Sequence, residues 1–222
     1  MLEMTPRDFT TPYRRLESWV YDTVLAPATA ALADTLGREW LDRVPRGGAH
    51  CDVGGGGGQL VISLARRRPD LRVTRLDRSP EQIARARRRA GVRVELVVGS
   101  ALALPFRRRD VRSSRKRRLD QALARPAAGL SECVRVLAPG GHLLVAEADR
   151  GCHLDDAERF VARTRLPRAA RALVLPGFRT WVAGRGIDLD DARALVATLP
   201  ASDATVMRAP GAPALVIEAR RP

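Results

Sequence analysis

Two hydrophobic periods alternate along this chain. Short apolar runs, read as strands, are separated by stretches with an apolar residue every three or four positions, read as amphipathic helices. The runs predict strands at 49–53, 72–76 and 93–98, with helices at 59–68 and 80–90 between them. In the second of these helices Ile83, Ala84 and Ala86 are placed inward and the arginines form a solvated face. Ala127 to Leu137 reads as a helix with Leu130, Val134 and Leu137 on one side. Ala138-Pro139-Gly140-Gly141 ends it and turns into a strand from His142 to Glu147. Asp188 to Leu199 predicts another helix, with Asp188 near its start complementing the dipole. Thr205–Arg208 and Ala214–Ala219 form an antiparallel pair about the Pro210-Gly211 turn. Residues 1–45 read as helical over Pro12 to Tyr21 and Thr23 to Val44, with Pro27 starting a new helix. Strand and helix in alternation predict an α/β fold around a mostly parallel sheet.

The first strand runs into Asp52-Val53-Gly54-Gly55-Gly56-Gly57-Gly58, and a helix leaves it. Strand, glycine turn and helix together make a backbone cradle for a nucleotide. Glycine suits it because the turn needs positive φ and a Cβ would hold the ligand off. A dinucleotide fingerprint needs glycines at i, i+2 and i+5. Here i+5 falls on Gln59 or Leu60, so that fingerprint fails. Gly54, Gly56 and Gly58 instead satisfy i, i+2, i+4, with the acid Asp52 two residues ahead. The second strand ends in Asp77, about 20 residues past the glycines, where an acid is expected to meet ribose hydroxyls. Ser79 is then the N-cap of the next helix, Pro80 its first residue and Gln82 a capping-box partner.

These residues resemble motif I and its neighbourhood in the class I S-adenosylmethionine-dependent methyltransferases. Gly99-Ser100-Ala101-Leu102-Ala103-Leu104-Pro105-Phe106 is similar to a Gly-Asp-Ala-x-x-Leu-Pro-Phe segment of that family. Ser100 stands where the family's adenine-binding acid belongs, and offers a neutral bond roughly half as strong. A helix ending in Arg135-Val136-Leu137-Ala138-Pro139-Gly140-Gly141 before a strand resembles a further, more specific family signature. The resemblance implies a three-layer Rossmann-like sandwich with a seven-stranded, mostly parallel sheet and an antiparallel last strand. It implies S-adenosyl-L-methionine as cofactor and methyl transfer as the reaction. The cofactor contacts it implies are Asp52, Gly54, Gly55, Gly56, Gly58, Asp77, Arg78, Gly99, Ser100 and Ala101. The implied organisation is one domain: cover helices over 1–45, a cofactor-binding core over 46–149, an acceptor-site insertion over 150–187, and a C-terminal helix and hairpin over 188–222. Within 150–181, Phe160, Phe178 and Trp181 are candidates for the acceptor pocket. Tyr13, Trp19 and Tyr21 either line the cover or pack within it.

Charge and cysteine content add exclusions. The net charge is +14, which invites a nucleic-acid reading. Yet Lys116 is the only lysine, and an excess of Arg with Ala, Gly and Pro is what GC-rich codons produce. Residues 107–118 alone hold eight basic residues and one acid, half of the net charge. A nucleic-acid partner is therefore not expected. Cys51, Cys133 and Cys152 have neither disulfide nor zinc spacing, which points to a reducing cytoplasm and no metal. No run of 18 apolar residues occurs, and Met1 to Phe9 lacks the apolar region of a signal peptide. Nothing in the pattern fixes an oligomeric state.

Residues 107–125 depart from the family. A fourth strand, rich in Val and Leu and central in the sheet, is expected here. The chain has Arg107-Arg108-Arg109-Asp110-Val111-Arg112-Ser113-Ser114-Arg115-Lys116-Arg117-Arg118 instead. A central parallel strand is buried on both faces and should be apolar. The fourth strand is thus expected to be disrupted, the segment looping to solvent or leaving the sheet a strand short. Its length suits the missing strand, and Leu123-Ala124-Arg125-Pro126 can be encoded so that an adjacent frame reads Trp-Pro-Asp-Pro, a segment found here in relatives. An out-of-frame stretch from about Phe106 to Pro126 accounts for both.

Methyl transfer is an in-line displacement, and holding the nucleophile at near-attack distance is the main task. A base is needed only if the acceptor must lose a proton. The resemblance therefore supplies no catalytic residue. Glu147, Asp149 and His153, at or after the fifth strand, are candidates for a base, or surface polar groups. His50 and His142, at strand starts, are read as structural. Three functions remain: a small-molecule methyltransferase, a nucleic-acid or protein methyltransferase, and a relative that keeps the fold but is catalytically impaired. The motif that stacks an extruded base in base-modifying enzymes is absent from the sequence.

Overall fold

In the computed structural model, residues 27–28, 44–54, 58–107, 111–117, 126–178 and 183–222 are described. The sheet has seven strands: β1 (Ala49–Val53), β2 (Arg72–Asp77), β3 (Glu95–Val98), β4 (Val111–Arg117), β5 (Leu137–Ala148), β6 (Ser202–Arg208) and β7 (Ala214–Arg220). Their spatial order is β3-β2-β1-β4-β5-β7-β6. The first five strands pair in parallel, while β7 runs antiparallel to both β5 and β6. The order reverses between β1 and β4, and ligands in such sheets sit beyond the carboxyl ends of the strands at that reversal.

Each strand sends alternate side chains to opposite faces, as a period of two requires. Cys51, Val53, Leu76, Leu143, Val145, Leu215 and Ile217 go to one face, into a core shared with α3 (Pro126–Val136) and α6 (Leu189–Ala197). Val73, Leu144 and Val216 go to the other, against Val61, Ile62, Leu64 and Ala65 of α1 (Gln59–Arg67). Helices thus cover both faces, in the three-layer arrangement expected. α2 (Pro80–Arg89) joins β2 to β3, and α4 (Leu154–Ala162) and α5 (Arg168–Gly177) occupy the expected insertion after β5.

The principal correction concerns β4. It is neither looped out nor missing: its backbone pairs with β1 from His50↔Ser113 to Val53↔Lys116 and with β5 from Ser113↔His142 to Arg117↔Ala146. Omitting it would leave the N–H and C=O groups of β1 and β5 unpaired inside the fold. Pairing satisfies those groups whatever side chains the strand carries. Val111 anchors the start of β4, buried in the main core, while Arg112 is exposed.

Smaller corrections follow the same logic. The β5 strand starts at Leu137 rather than His142, because Leu137 pairs with Val111 before the register shifts. The expected Pro-Gly-Gly turn survives as that irregularity, with Gly140 at φ 68° and its N–H donating to the Arg221 carbonyl. In α2 the Ser79 hydroxyl does cap the helix, accepting from the Gln82 N–H at 3.3 Å. The reciprocal half of the capping box is absent: the Gln82 side chain is turned inward with Ile83 and Ala86, and Ala84 is only half-buried. The N-terminal helices, with Tyr13, Trp19 and Tyr21, lie outside the described residues apart from Pro27, Ala28 and Val44.

Candidate functional site

Asp52, Gly54, Asp77, Arg78, Gly99, Ser100 and Ala101 all fall at the carboxyl ends of β1, β2 and β3, because those strands are parallel and adjacent. Gly58 opens α1 from the same edge. Gly55 and Gly56 lie outside the described residues. Two glycines are conformationally required here. Gly54 has φ 74° while its N–H donates to the Leu76 carbonyl at 2.9 Å, tying the loop to β2. Gly58 has φ 82°, and a Cβ there would stand 2.8 Å from the Cβ of Ala86. The two described ends of the loop are therefore held against β2 and α2.

Asp77 ends β2. Its Oδ1 accepts from the Ser79 N–H at 2.9 Å, and its Oδ2 accepts from the Arg75 guanidinium at 2.9 Å. Arg75 also donates to Asp52 Oδ2 at 2.8 Å. The Arg75 side chain is fully buried. Sequence reasoning passed over Arg75, though its signal was present: an arginine in the interior of a strand, two residues before the acid.

The loop after β3 is fixed from the opposite layer. Gly99 donates to the Asp77 carbonyl at 3.0 Å, and a Cβ on Gly99 would lie 2.9 Å from Leu76 Cδ1. The Ser100 hydroxyl accepts from the Leu102 N–H at 3.1 Å, and Ala101 is buried. Glu132 on α3 accepts from the Leu104 N–H at 2.8 Å and from Arg135 Nε at 2.6 Å. Arg135 in turn donates to the carbonyls of Leu104 and Phe106. The Arg135 guanidinium, first of all, and the Leu104 N–H hold the Glu132 carboxyl below its ordinary range.

The candidate bases differ in environment. Glu147 is buried at the end of β5, its Oε1 accepting from the Ala148 N–H at 2.8 Å. Asp149 is buried and clamped, accepting from Arg208 Nε at 2.7 Å and the Gly151 N–H at 2.8 Å. His153 is exposed at the start of α4. Burial pushes the Cys51 thiol well up, with Cys133 and Asp52 adding to the effect, so Cys51 is not a nucleophile at neutral pH. His50 is buried on β1, and His142 is half-buried within β5.

Phe160 and Phe178 are both buried. They stack on each other at 5.0 Å between ring centroids, in a small core with Ala28, Ala157, Val161 and Ala183. Trp181 lies outside the described residues. The loop from Ala183 to Asp188 rests directly on the end of β5: Arg150 donates to the Ile187 carbonyl at 3.1 Å. No group of three or more metal-ligating side chains occurs among the described residues, and none of their helices is long and apolar enough to cross a membrane.

A doubly wound sheet with a glycine cradle at its reversal point and an acid on the next strand defines a nucleotide-binding α/β protein. Comparison with known proteins narrows the class. Residues 51–141 match the family model of the methyltransferase domain. An uncharacterised 37.1 kDa protein of transposon Tn4556 from Streptomyces fradiae is 38% identical over 112 residues, which are 49% of this chain and 32% of that protein. The ubiquinone/menaquinone biosynthesis C-methyltransferase of Paracoccus denitrificans is 35% identical over 115 residues, 49% of this chain and 45% of that enzyme. The matched stretch is thus less than half of either relative's length. In structure, a SAM-dependent methyltransferase from Aquifex aeolicus aligns with a TM-score of 0.61 at 14% identity, over 90% of this chain and 92% of the other. Residues 51–141 thus carry the sequence pattern of a methyltransferase domain, and the chain has the fold of SAM-dependent methyltransferases.

The family's cofactor fits the residues present. The cradle at Gly54 and Gly58 excludes side chains, and Asp77 stands at the β2 end beside it. Gln82, one helical turn before the Ala86 that abuts Gly58, is buried with neither amide atom hydrogen-bonded. A buried amide without partners is costly, and a polar ligand on the glycine loop is a suitable partner.

Proposed function

We propose that this chain transfers the methyl group of S-adenosylmethionine to a small-molecule acceptor. The observation that carries the proposal is the cradle: Asp52, Gly54 and Gly58 on one strand end and Asp77 on the next, inside the stretch that matches the methyltransferase family. In this reading the glycines receive the methionine and ribose portion, Asp77 accepts from the ribose hydroxyls, and Arg78, Gly99, Ser100 and Ala101 border the adenine. The Glu132–Arg135 pair holds the 99–106 loop in place for that contact. The cofactor supplies an activated methyl on a sulfonium with a neutral leaving group. The protein's share is to hold the acceptor atom in line and exclude water.

The name of the Paracoccus denitrificans relative favours a small organic acceptor over a polymer. The helices α4 and α5, beginning just past the end of β5, are the acceptor-side cap, with Phe160 and Phe178 giving that cap its apolar centre. Where the acceptor must lose a proton, Glu147, Asp149 and His153 are the candidates near that edge, and Asp149 is clamped by Arg208. Buried free cysteines Cys51 and Cys133 suit a reducing cytoplasm.

Calorimetric titration with S-adenosylmethionine and S-adenosylhomocysteine tests the reading, followed by methyl transfer from labelled cofactor to a panel of small aromatic acceptors. Saturable one-to-one binding is expected. Absence of both binding heat and any ligand-induced rise in thermal midpoint at millimolar ligand sinks it. Salt-dependent RNA or DNA binding coupled to methylation favours the polymer reading instead.

A further inference from the structure

The cofactor-binding reading assigns roles to Asp52 and Asp77, and the structure joins them through one side chain. Asp52 and Arg75 are register partners on the parallel strands β1 and β2, so their side chains share a face. Asp77 lies two residues beyond Arg75 and shares it too. The guanidinium sits between the carboxylates, at 2.8 Å from Asp52 and 2.9 Å from Asp77. Its stem runs beside Gly58: a Cβ built there would be 3.7 Å from Arg75 Cδ. Three parts of the cradle therefore rest on Arg75: the acid before the loop, the glycine that ends it, and the acid of the neighbouring strand.

We propose that Arg75 is a positioning residue for the cofactor, fixing the Asp77 carboxylate so that its edge meets the ribose diol. The inference rests on the cofactor reading above. Arg75 touches no ligand, since its side chain is wholly buried, whereas Asp77 keeps 13% of its side chain exposed. A carboxylate on a two-torsion side chain is free to swing. Here one oxygen is held by Arg75 and the other by the Ser79 N–H, which sets the carboxylate plane. The planar guanidinium fork bonds two carboxylates in fixed directions, which the single ammonium of lysine does not reproduce. Diol recognition is thereby built in before the ligand arrives rather than formed on binding. Without the cation, Asp52 and Asp77 would also be like charges sharing one face.

The test separates positioning from mere core stability. Affinities of S-adenosylhomocysteine and its 2′,3′-dideoxyribose analogue are measured by calorimetry for the wild type, Arg75→Lys and Arg75→Met, alongside thermal midpoints. The wild type is expected to prefer the diol ligand by tenfold or more. In Arg75→Lys that preference should fall to threefold or less, while the dideoxy ligand binds within threefold of wild type. Arg75→Met should abolish the preference, and where it fails to fold, Arg75→Lys decides alone. In an Asp77→Asn background, Arg75→Lys should change the preference no further. Equal weakening of both ligands, or a preference retained in Arg75→Lys, overturns the proposal while leaving the cofactor reading standing. A wild type that binds neither ligand removes the cofactor reading, and this inference with it.

Discussion

Gly58 and Ala86 meet where the glycine loop enters α1: there is no room between them for a second Cβ, which would lie at 2.8 Å. Gly58 also sits at φ 82°, where an L-residue is strained by about 1–2 kcal/mol. Gly58→Ala combines that strain with overpacking, typically about 1–3 kcal/mol. At about 2–4 °C per kcal/mol for a chain of this size, its thermal midpoint should drop by several degrees. A melting curve that overlays the wild type refutes the packing described.

Asp77→Ala should weaken S-adenosylhomocysteine binding by about 10- to 150-fold, equivalent to about 1.5–3 kcal/mol for hydrogen bonds to a charged group. Calorimetry reads this directly, and Asp77→Asn serves as the fold-preserving control. Unchanged affinity in a folded Asp77→Ala protein rules out the ribose assignment.

Phe160 and Phe178 are buried against each other. Truncating either to Ala in a packed core costs about 3–5 kcal/mol. The loss should fall on the cap: amide exchange over 154–177 should accelerate, acceptor preference should change, and cofactor affinity should stay within a small factor of wild type. Collapse of cofactor binding in Phe178→Ala would make this pair part of the cofactor domain's own support.

Acid should loosen the structure through Glu132. Its folded value is depressed, so below the ordinary glutamate range, roughly 4.3, the unfolded chain binds the proton more readily than the folded one. Its stabilisation is complete above that range and is lost as pH falls through the folded value. Asp188, depressed by the Asp191 N–H and then Arg150, acts with the same sign. Glu132→Gln should lower the midpoint at neutral pH by about 2–4 °C, for about 1 kcal/mol after solvent screening. It should also flatten the pH dependence on the acid side of the ordinary glutamate range. A wild-type slope retained in Glu132→Gln would remove Glu132 as a contributor.

The β4 strand occupies the centre of the sheet with a sequence, Val111 to Arg117, that no central strand should need. An out-of-frame stretch would explain that mismatch. The gene's nucleotide sequence across codons 107–125 should then encode an apolar strand in one of the shifted frames. The protein with that frame restored should melt higher and bind cofactor more tightly. Two shifted frames without an apolar run end the idea.

The sequence by itself determined the glycine turn and the helix N-caps. These depend on neighbours a few residues apart: Gly54 and Gly58 after a strand, Ser79 before α2, Asp188 accepting from the Asp191 N–H at 2.9 Å. Local periodicity also placed β1, β2, β6 and β7 to within a few residues of where they lie. Tertiary structure decided what distance along the chain conceals. The β4 backbone is in the sheet because β1 and β5 need partners, a demand invisible in residues 107–125 themselves. Gln82 turned inward, where local spacing alone made it a capping partner. Arg75 became the link between two acids because strand pairing set it opposite Asp52, 23 residues away. Hydrogen-bond periodicity is written locally; which strands lie side by side, and so which charges meet, is fixed only when the sheet assembles.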